Sequence, residues 1–341
     1  MARRRHASWS TLAYVAATGA LLGGLGTLPG RENEDEDRPR RWRPPGTSRG
    51  ALVALAIIAI TPVFAADDGR SLHTFDGVRI GHSGSSRLVN RLFDEGDVVV
   101  AGTRVLVASG RLHDDRDELV SALTTAYGAM RRDDGDAPSP LVATYLGLQR
   151  SSSFDLLVID PTRHLEVLAT PRSAVIFLHG YLGNFNLPCW QIANAVASLG
   201  MVTACPSTRW VGDWWSADGE ATLRRTMDLL HARGIERIVL AGLSNGSFGA
   251  ARLAPRLKGE LAGLVLVSGA DSNVPPAGIP TLVIHGRADT VIPFAEAVAY
   301  ANNVNATLLA VSAGHHTMLV RAQEVDRAIR SFVASCLEPA K

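Results

Sequence analysis

The stretch Arg237-Ile-Val-Leu-Ala-Gly-Leu-Ser-Asn-Gly-Ser-Phe-Gly-Ala-Ala251 constrains the chain more than any other. Its apolar run, Ile238 to Ala241, reads as a buried strand. The run meets Gly242-Leu243-Ser244-Asn245-Gly246, and the small residues Gly249, Ala250 and Ala251 then suit the start of a helix. A strand that turns this sharply into a helix strains the residue at its apex and exposes its side chain. A β-carbon at Gly242 or Gly246 would collide with the neighbouring strand or helix. Ser244 is therefore a candidate nucleophile. In a chain with 32 glycines such a pentapeptide can arise by chance, so the decision rests on whether partners follow in a workable order.

From about residue 151 onward, apolar runs of strand length alternate with helix-period segments. Strands are expected at 154–159, 165–169, 173–178, 201–204, 238–241, 264–267, 281–284 and 306–311. Helices are expected at 188–199, 220–232 and 318–335. This alternation predicts an α/β fold with a mostly parallel central sheet and helices on both faces. In such sheets chemistry collects at the carboxyl ends of the strands.

The residues after each strand can be read in turn. His179-Gly-Tyr-Leu-Gly183 follows the first of the central strands. Acyl transfer needs backbone N–H donors aimed at a developing oxyanion; the N–H groups of Tyr181 and Asn245 are the expected pair. His179 reads as a structural histidine that pins this loop. His285-Gly-Arg-Ala-Asp-Thr-Val-Ile-Pro293 follows 281–284. Asp289 in that loop can hold an imidazole in one tautomer and stabilise its charged form. Asp271 competes for this role, or serves as a turn or cap aspartate. Ser312-Ala-Gly-His-His-Thr317 follows the last strand. His315 is the expected general base and His316 the alternative. The order Ser244, Asp289, His315 is that of one fold class.

Substrate contacts are expected from Tyr181, Leu182, Asn184, Phe185 and the loop 209–215, which holds Trp210, Trp214 and Trp215. Leu182, Trp214 and Trp215 are the candidate pocket residues; the tryptophans either line a pocket or pack as ordinary core. Cys189, Cys205 and Cys336 show no metal-ligand or CxxC spacing. No metal and no organic cofactor is expected. A net charge of +1 gives no electrostatic footprint for nucleic acid. Only two of 34 basic residues are lysine, which suggests a GC-rich, bacterial coding sequence.

Residues 1–66 read as a targeting region. Arg40, Arg41, Arg43 and Arg49 precede the apolar run Ala51 to Ile60, then Val63-Phe64-Ala65 as a small-x-small cleavage site. That is the layout of a secretory signal peptide over about 40–65. The apolar, Gly-rich segment 12–28 lies upstream, separated by the charged, proline-rich 31–46. Either the start codon is assigned too far upstream or two segments anchor the chain in a membrane. Export, periplasmic or secreted, implies an oxidising compartment in which Cys189 and Cys205 can pair, with Cys336 left over. Cleavage would leave no stable membrane span. Residues 67–150 form an N-terminal appendage of unassigned role, with weak helical character at 85–93. A hairpin is expected from 98–100 and 104–107, and a helix from 117–131. The acidic cluster at 133–136 reads as a solvated turn.

Residues 173–335 resemble the α/β-hydrolase superfamily on HGYLG, GLSNG, HGRADTVIP and AGHHTML. The resemblance covers about half the chain. It is similar to the compact esterase, lysophospholipase and dienelactone-hydrolase-like branch, although its elbow carries serine where dienelactone hydrolases proper carry cysteine. It implies a typically eight-stranded sheet and a serine-hydrolase mechanism acting on a small-molecule or lipid ester. Large-lid lipases insert a cap after the strand that follows the elbow helix; here only 271–280 separates the two strands, so no large cap is expected. A peptidase or acyltransferase on the same machinery, or an inactive binding protein on the same fold, are the competing expectations.

Overall fold

The computed structural model describes residues 95–133, 156–159 and 171–338. The targeting region, the strand expected at 165–169, the helical stretch at 85–93 and the acidic turn at 133–136 lie outside these residues, Asp133 excepted.

Among the described residues two helices come first, α1 (Glu95–Ala108) and α2 (Arg116–Asp133). The α/β unit follows: β1 (Leu156–Ile159), β2 (Ser173–Leu178), α3 (Asn186–Val196), β3 (Val202–Pro206), α4 (Ala217–His231), β4 (Arg237–Leu243) and α5 (Asn245–Leu253). Then come β5 (Leu261–Val267), β6 (Thr281–Gly286), α6 (Phe294–Val304), β7 (Thr307–Val311), α7 (Thr317–Val320) and α8 (Ala322–Leu337). Among the described residues the strands form one seven-stranded sheet in the order β1-β3-β2-β4-β5-β6-β7. β1 runs antiparallel to β3, and every other pair is parallel. The serine-bearing β4 sits at the centre, flanked by β2 and β5.

Alternation along the strands decides what each face buries. Ile176, Ile238, Leu240, Leu264 and Val283 face one side, under Leu223, Met227 and Leu230 of α4, the small residues of α5, and Tyr300 of α6. Val175, Phe177, Val239, Val265 and Ile284 face the other, under Ile192 of α3 and Val325, Ile329 and Val333 of α8. Both faces are therefore apolar, which is why the parallel strands read as continuous hydrophobic runs. The mostly parallel sheet with helices on both faces is as expected. β5 and β6 are joined by 268–280 alone, leaving no room for a cap.

Two expectations are corrected. The hairpin expected around 98–107 is one continuous helix, α1. Its valines favour strands only where a sheet can receive them. Here they meet α2 instead: Val99 and Val100 pack beside Leu119, Leu123 and Tyr127, and a β-carbon at Gly96 would lie 2.8 Å from the Tyr127 ring. The closing helix expected at 318–335 is broken into α7 and α8 at Arg321, whose backbone leaves the helical region (φ −126°, ψ 35°) while its guanidinium reaches Glu118 of α2.

Candidate active site

β4 ends at Leu243, and Ser244 follows with φ 52° and ψ −117°. This is a left-handed conformation that a residue with a β-carbon adopts only when its surroundings impose it. The surroundings do so. A β-carbon at Gly246 would come within 1.9 Å of the Leu178 carbonyl oxygen, and one at Gly242 within 2.4 Å of Gly246. Ser247 locks the turn from below: its hydroxyl accepts from Val267 N–H at 3.0 Å and lies 2.7 Å from the Gly242 carbonyl. Ser244 also opens α5 without capping it through its side chain, so its hydroxyl is left for another partner.

That partner is His315. Its Nε2 lies 3.0 Å from Ser244 Oγ, and its Nδ1 lies 2.9 Å from Asp289 Oδ2. A carboxylate accepts only, so Nδ1 carries the proton and Nε2 is left to accept from the serine hydroxyl. Asp289 is buried, and burial alone would raise its pKa. Hydrogen bonds from His285 and His315, the charge of the His315 ring and the Ile292 N–H outweigh this and hold it well below the usual carboxylate range. The Asp289 Oδ1 accepts from the N–H groups of Val291 and Ile292 at 2.9 and 2.8 Å. His285 Nε2 faces two acceptors, Asp289 Oδ2 at 3.2 Å and the Ile292 carbonyl at 2.9 Å, and so acts as a buried donor behind Asp289.

The two remaining candidates lie elsewhere. Asp271 pairs with Arg252 at 2.6 Å and accepts from Asn273 N–H at 3.2 Å, the behaviour of a turn carboxylate. His316 directs Nδ1 to Asp115 at 3.3 Å rather than to Ser244.

On the β2 side, Gly180 lies under the elbow: a β-carbon there would be 3.1 Å from Ser244 Cβ. Tyr181 and Leu182 follow, and Leu182 holds a left-handed φ of 73°. Among the described residues, neither Tyr181 N–H nor Asn245 N–H donates to a protein acceptor. His179 fixes the loop from within. Its Nδ1 faces the Gly180 carbonyl at 2.8 Å and its Nε2 accepts from Thr208 N–H at 3.0 Å, so the neutral ring is held in one tautomer.

The expected pocket divides. Trp214 is fully buried, with its indole N–H on the His179 carbonyl at 2.9 Å and its ring edge on His179. It packs against Gly249, where a β-carbon would meet it at 2.3 Å. Trp214 is core, not pocket wall, because the close approach of α5 leaves it no route to solvent. Asn184 is also buried and donates to the Cys205 carbonyl and Ser207 Oγ. Leu182 and Trp215 are exposed, as are Tyr181, Trp210 and Val291. Arg252 lies 4.7 Å above the Trp215 ring. All five sit on loops at the carboxyl edge of the sheet, and Asn245 Nδ2 donates to Val211 O at 2.7 Å, tying the tryptophan loop to the elbow.

Cys189 and Cys205 are bridged, joining α3 to β3; Cys336 is free and buried. Among the described residues no group of three metal-ligating side chains occurs, and no helix is long and apolar enough to cross a membrane.

Three carboxylates escaped the sequence reading. Asp114 and Asp115, between α1 and α2, accept hydrogen bonds from the loops that carry Asp289 and His315. Glu95 accepts from the N–H groups of Asn186 and Leu187 at the start of α3. Nothing local marks them, since the donors they receive from the α/β unit lie 91 to 201 residues away.

No protein-family model and no curated protein matches the chain. Solved structures do. Est1E from Butyrivibrio proteoclasticus is 15% identical, with a TM-score of 0.44 over 54% of this chain and 94% of its own. XC6422 from Xanthomonas campestris, described as an α/β serine hydrolase without lid, is 22% identical, with a TM-score of 0.46 over 55% of this chain and 91% of its own. A monoacylglycerol lipase from Paleococcus ferrophilus is 14% identical, with a TM-score of 0.44 over 54% and 99%. The sheet order, the strained serine turn after β4 and the loops after β6 and β7 that bring Asp289 and His315 to it are those of an α/β-hydrolase fold.

Proposed function

We propose that the protein is a serine hydrolase that cleaves carboxylic esters through an acyl-enzyme on Ser244. The observation that carries this reading is the continuous hydrogen-bonded chain Ser244–His315–Asp289 at the apex of a strained turn. In the proposed reaction His315 Nε2 takes the Ser244 proton as Oγ bonds to the ester carbonyl carbon. The carbonyl electron pair moves onto oxygen, which the N–H groups of Tyr181 and Asn245 receive. Collapse of this intermediate breaks the bond to the alcohol oxygen, which takes the proton from His315. Water then attacks the acyl-enzyme and gives its proton to His315. The second collapse frees the acid and returns that proton to Ser244. Asp289 remains ionised and orients the ring throughout.

The exposed apolar rim of Tyr181, Leu182, Trp210, Trp215 and Val291 supports an apolar acyl group, and the short link between β5 and β6 supports an open mouth. We also propose that the chain is exported; the buried Cys189–Cys205 bridge agrees with an oxidising destination.

The test is fluorophosphonate labelling and p-nitrophenyl ester turnover by the full chain, beside Ser244→Ala. The variant should fold, lose labelling and lose about 10⁶-fold in kcat. A folded wild-type protein that does not label would overturn the reading. Labelling without ester turnover would move it to peptides or acyl transfer, which peptide substrates and a competing alcohol would separate.

A further inference from the structure

The loop that carries the proposed base is held mainly from outside the α/β unit. Gly314, His315 and His316 are consecutive, and the N–H groups of all three donate to carboxylates of one distant segment. Asp115 Oδ1 accepts from Gly314 at 2.7 Å, Asp114 Oδ2 from His315 at 3.1 Å, and Asp115 Oδ2 from His316 at 2.9 Å. The same Asp114 Oδ2 accepts from Thr290 N–H at 2.9 Å, and Asp114 Oδ1 accepts from the Thr290 hydroxyl. Thr290 directly follows Asp289. One buried carboxylate therefore bridges the residue beside the acid to the backbone of the base. The fit is close: a β-carbon at Gly314 would lie 2.8 Å from Asp114 Cβ. Asp115 is itself held in place. It has φ 55°, and its carbonyl accepts from the Glu118 and Leu119 N–H groups at the start of α2.

We propose that Asp114 and Asp115 are positioning residues that set the distance and angle between His315 and Asp289, so that the N-terminal appendage completes the catalytic centre. Neither carboxylate touches the reacting atoms; both act through the loops, by backbone N–H groups and by the Thr290 hydroxyl and the His316 ring. The inference rests on the assignment of His315 as the base, and misplacing a catalytic group by about 1 Å can reduce a rate by about 100-fold.

The hydrogen-bond pattern makes the two sites respond differently to asparagine. At Asp114 an amide oxygen in the Oδ2 position still accepts from Thr290 and His315, while the amide NH₂ in the Oδ1 position can donate to the Thr290 hydroxyl, which accepts as well as donates. At Asp115 both oxygens face backbone N–H donors, so an amide NH₂ meets a donor in either orientation. The conservative change should thus be tolerated at one position and not at its neighbour.

The experiment is steady-state ester kinetics on the full chain with Asp114→Ala, Asp114→Asn and Asp115→Asn, read beside the downfield NMR resonance of the hydrogen-bonded His315 Nδ1 proton. That resonance is assigned by its loss in His315→Ala. Asp114→Ala and Asp115→Asn should lower kcat by about 10- to 100-fold with KM changed less than about threefold, and should broaden or abolish the resonance. Asp114→Asn should retain kcat within about threefold and keep the resonance. If Asp114→Ala does not fold, the contrast between the two asparagine variants decides. Equal losses in Asp114→Asn and Asp115→Asn, or a resonance and kcat unchanged in Asp115→Asn, would overturn the proposal. If the wild type turns over no ester, the functional reading fails. The resonance still tests the positioning role, because it reports the His315–Asp289 contact without turnover.

Discussion

His179 illustrates how one buried side chain couples the site to pH. The ring is sealed between the β2 loop, Thr208 and Trp214. Burial pushes its pKa down to about 4, although the Gly180 carbonyl and the charge of Asp213 partly oppose this. A histidine in the unfolded chain titrates near 6.5. Between these values the unfolded chain binds a proton that the folded chain refuses, so stability falls as pH falls through that window. Across the whole window the loss is on the order of 3 kcal/mol. Denaturant midpoints should decline from about pH 7 to about pH 4.5, and His179→Gln should show a shallower decline from a lower starting value. An identical slope in the two proteins would refute the assignment. Asp289 behaves in the opposite sense. Its lowered pKa contributes stability that is present above the ordinary carboxylate value and is lost only at more acidic pH.

At the scale of elements, the elbow depends on how closely β2, β4 and α5 approach one another. The strain at Ser244 persists because backbone packs on backbone at Gly242 and Gly246, with no flexible side chain between them to yield. Gly246→Ala would force its β-carbon onto the Leu178 carbonyl and should destabilise the fold by roughly 1–3 kcal/mol or more. It should also reduce turnover, because Leu178 leads directly into the Tyr181 loop. Gly259→Ala, where nothing lies within 4 Å of the added carbon, should stay within about 0.5 kcal/mol of wild type. Thermal unfolding of the two variants side by side checks the contrast. The α1 helix makes a related point. A run of valines split by Ala101-Gly102-Thr103 looks like two strands, but an isolated hairpin has no sheet to join at that place. A helix satisfies its own backbone hydrogen bonds and presents Val99 and Val100 to α2.

Across the whole molecule, a few ties hold distant segments together. α2 docks through Leu119, Leu123 and Tyr127 against Leu187 of α3 and Leu319 of α7, with Val99 and Val100 of α1 packed on the same cluster. Glu95 accepts from the first N–H groups of α3 and from the Tyr127 hydroxyl, supplying from afar the cap that Phe185 at the helix start lacks. The Cys189–Cys205 bridge closes a short loop, with a sequence separation of 16. For a loop of this length the constraint on the unfolded chain contributes about 3 kcal/mol. Reduction should therefore lower Tm by roughly 6–12 °C. Calorimetry with and without reductant, and on Cys189→Ser/Cys205→Ser, checks this. A Tm insensitive to reductant in wild type would mean the bridge does not form in solution.

Much of the fold was legible because its determinants are local. Apolar runs bounded by Gly and Asp-Pro mark strands, and alternation with helix-period segments marks a parallel sheet. A strained serine turn needs glycines two residues away on either side, which short-range sterics write into neighbouring positions. The sequence also placed Ser244, Asp289 and His315 at the ends of strands that share one sheet edge. Which atoms meet there is a different matter. The choice of His315 over His316 and of Asp289 over Asp271, the burial of Trp214 and the helical state of α1 all follow from packing between segments far apart in the chain. Asp114 and Asp115 are the clearest case. Nothing in their own neighbourhood distinguishes them from a solvated acidic turn, because a carboxylate acquires its role from the N–H groups brought to it. Those groups lie 176 to 201 residues away, and only the folded chain assembles them.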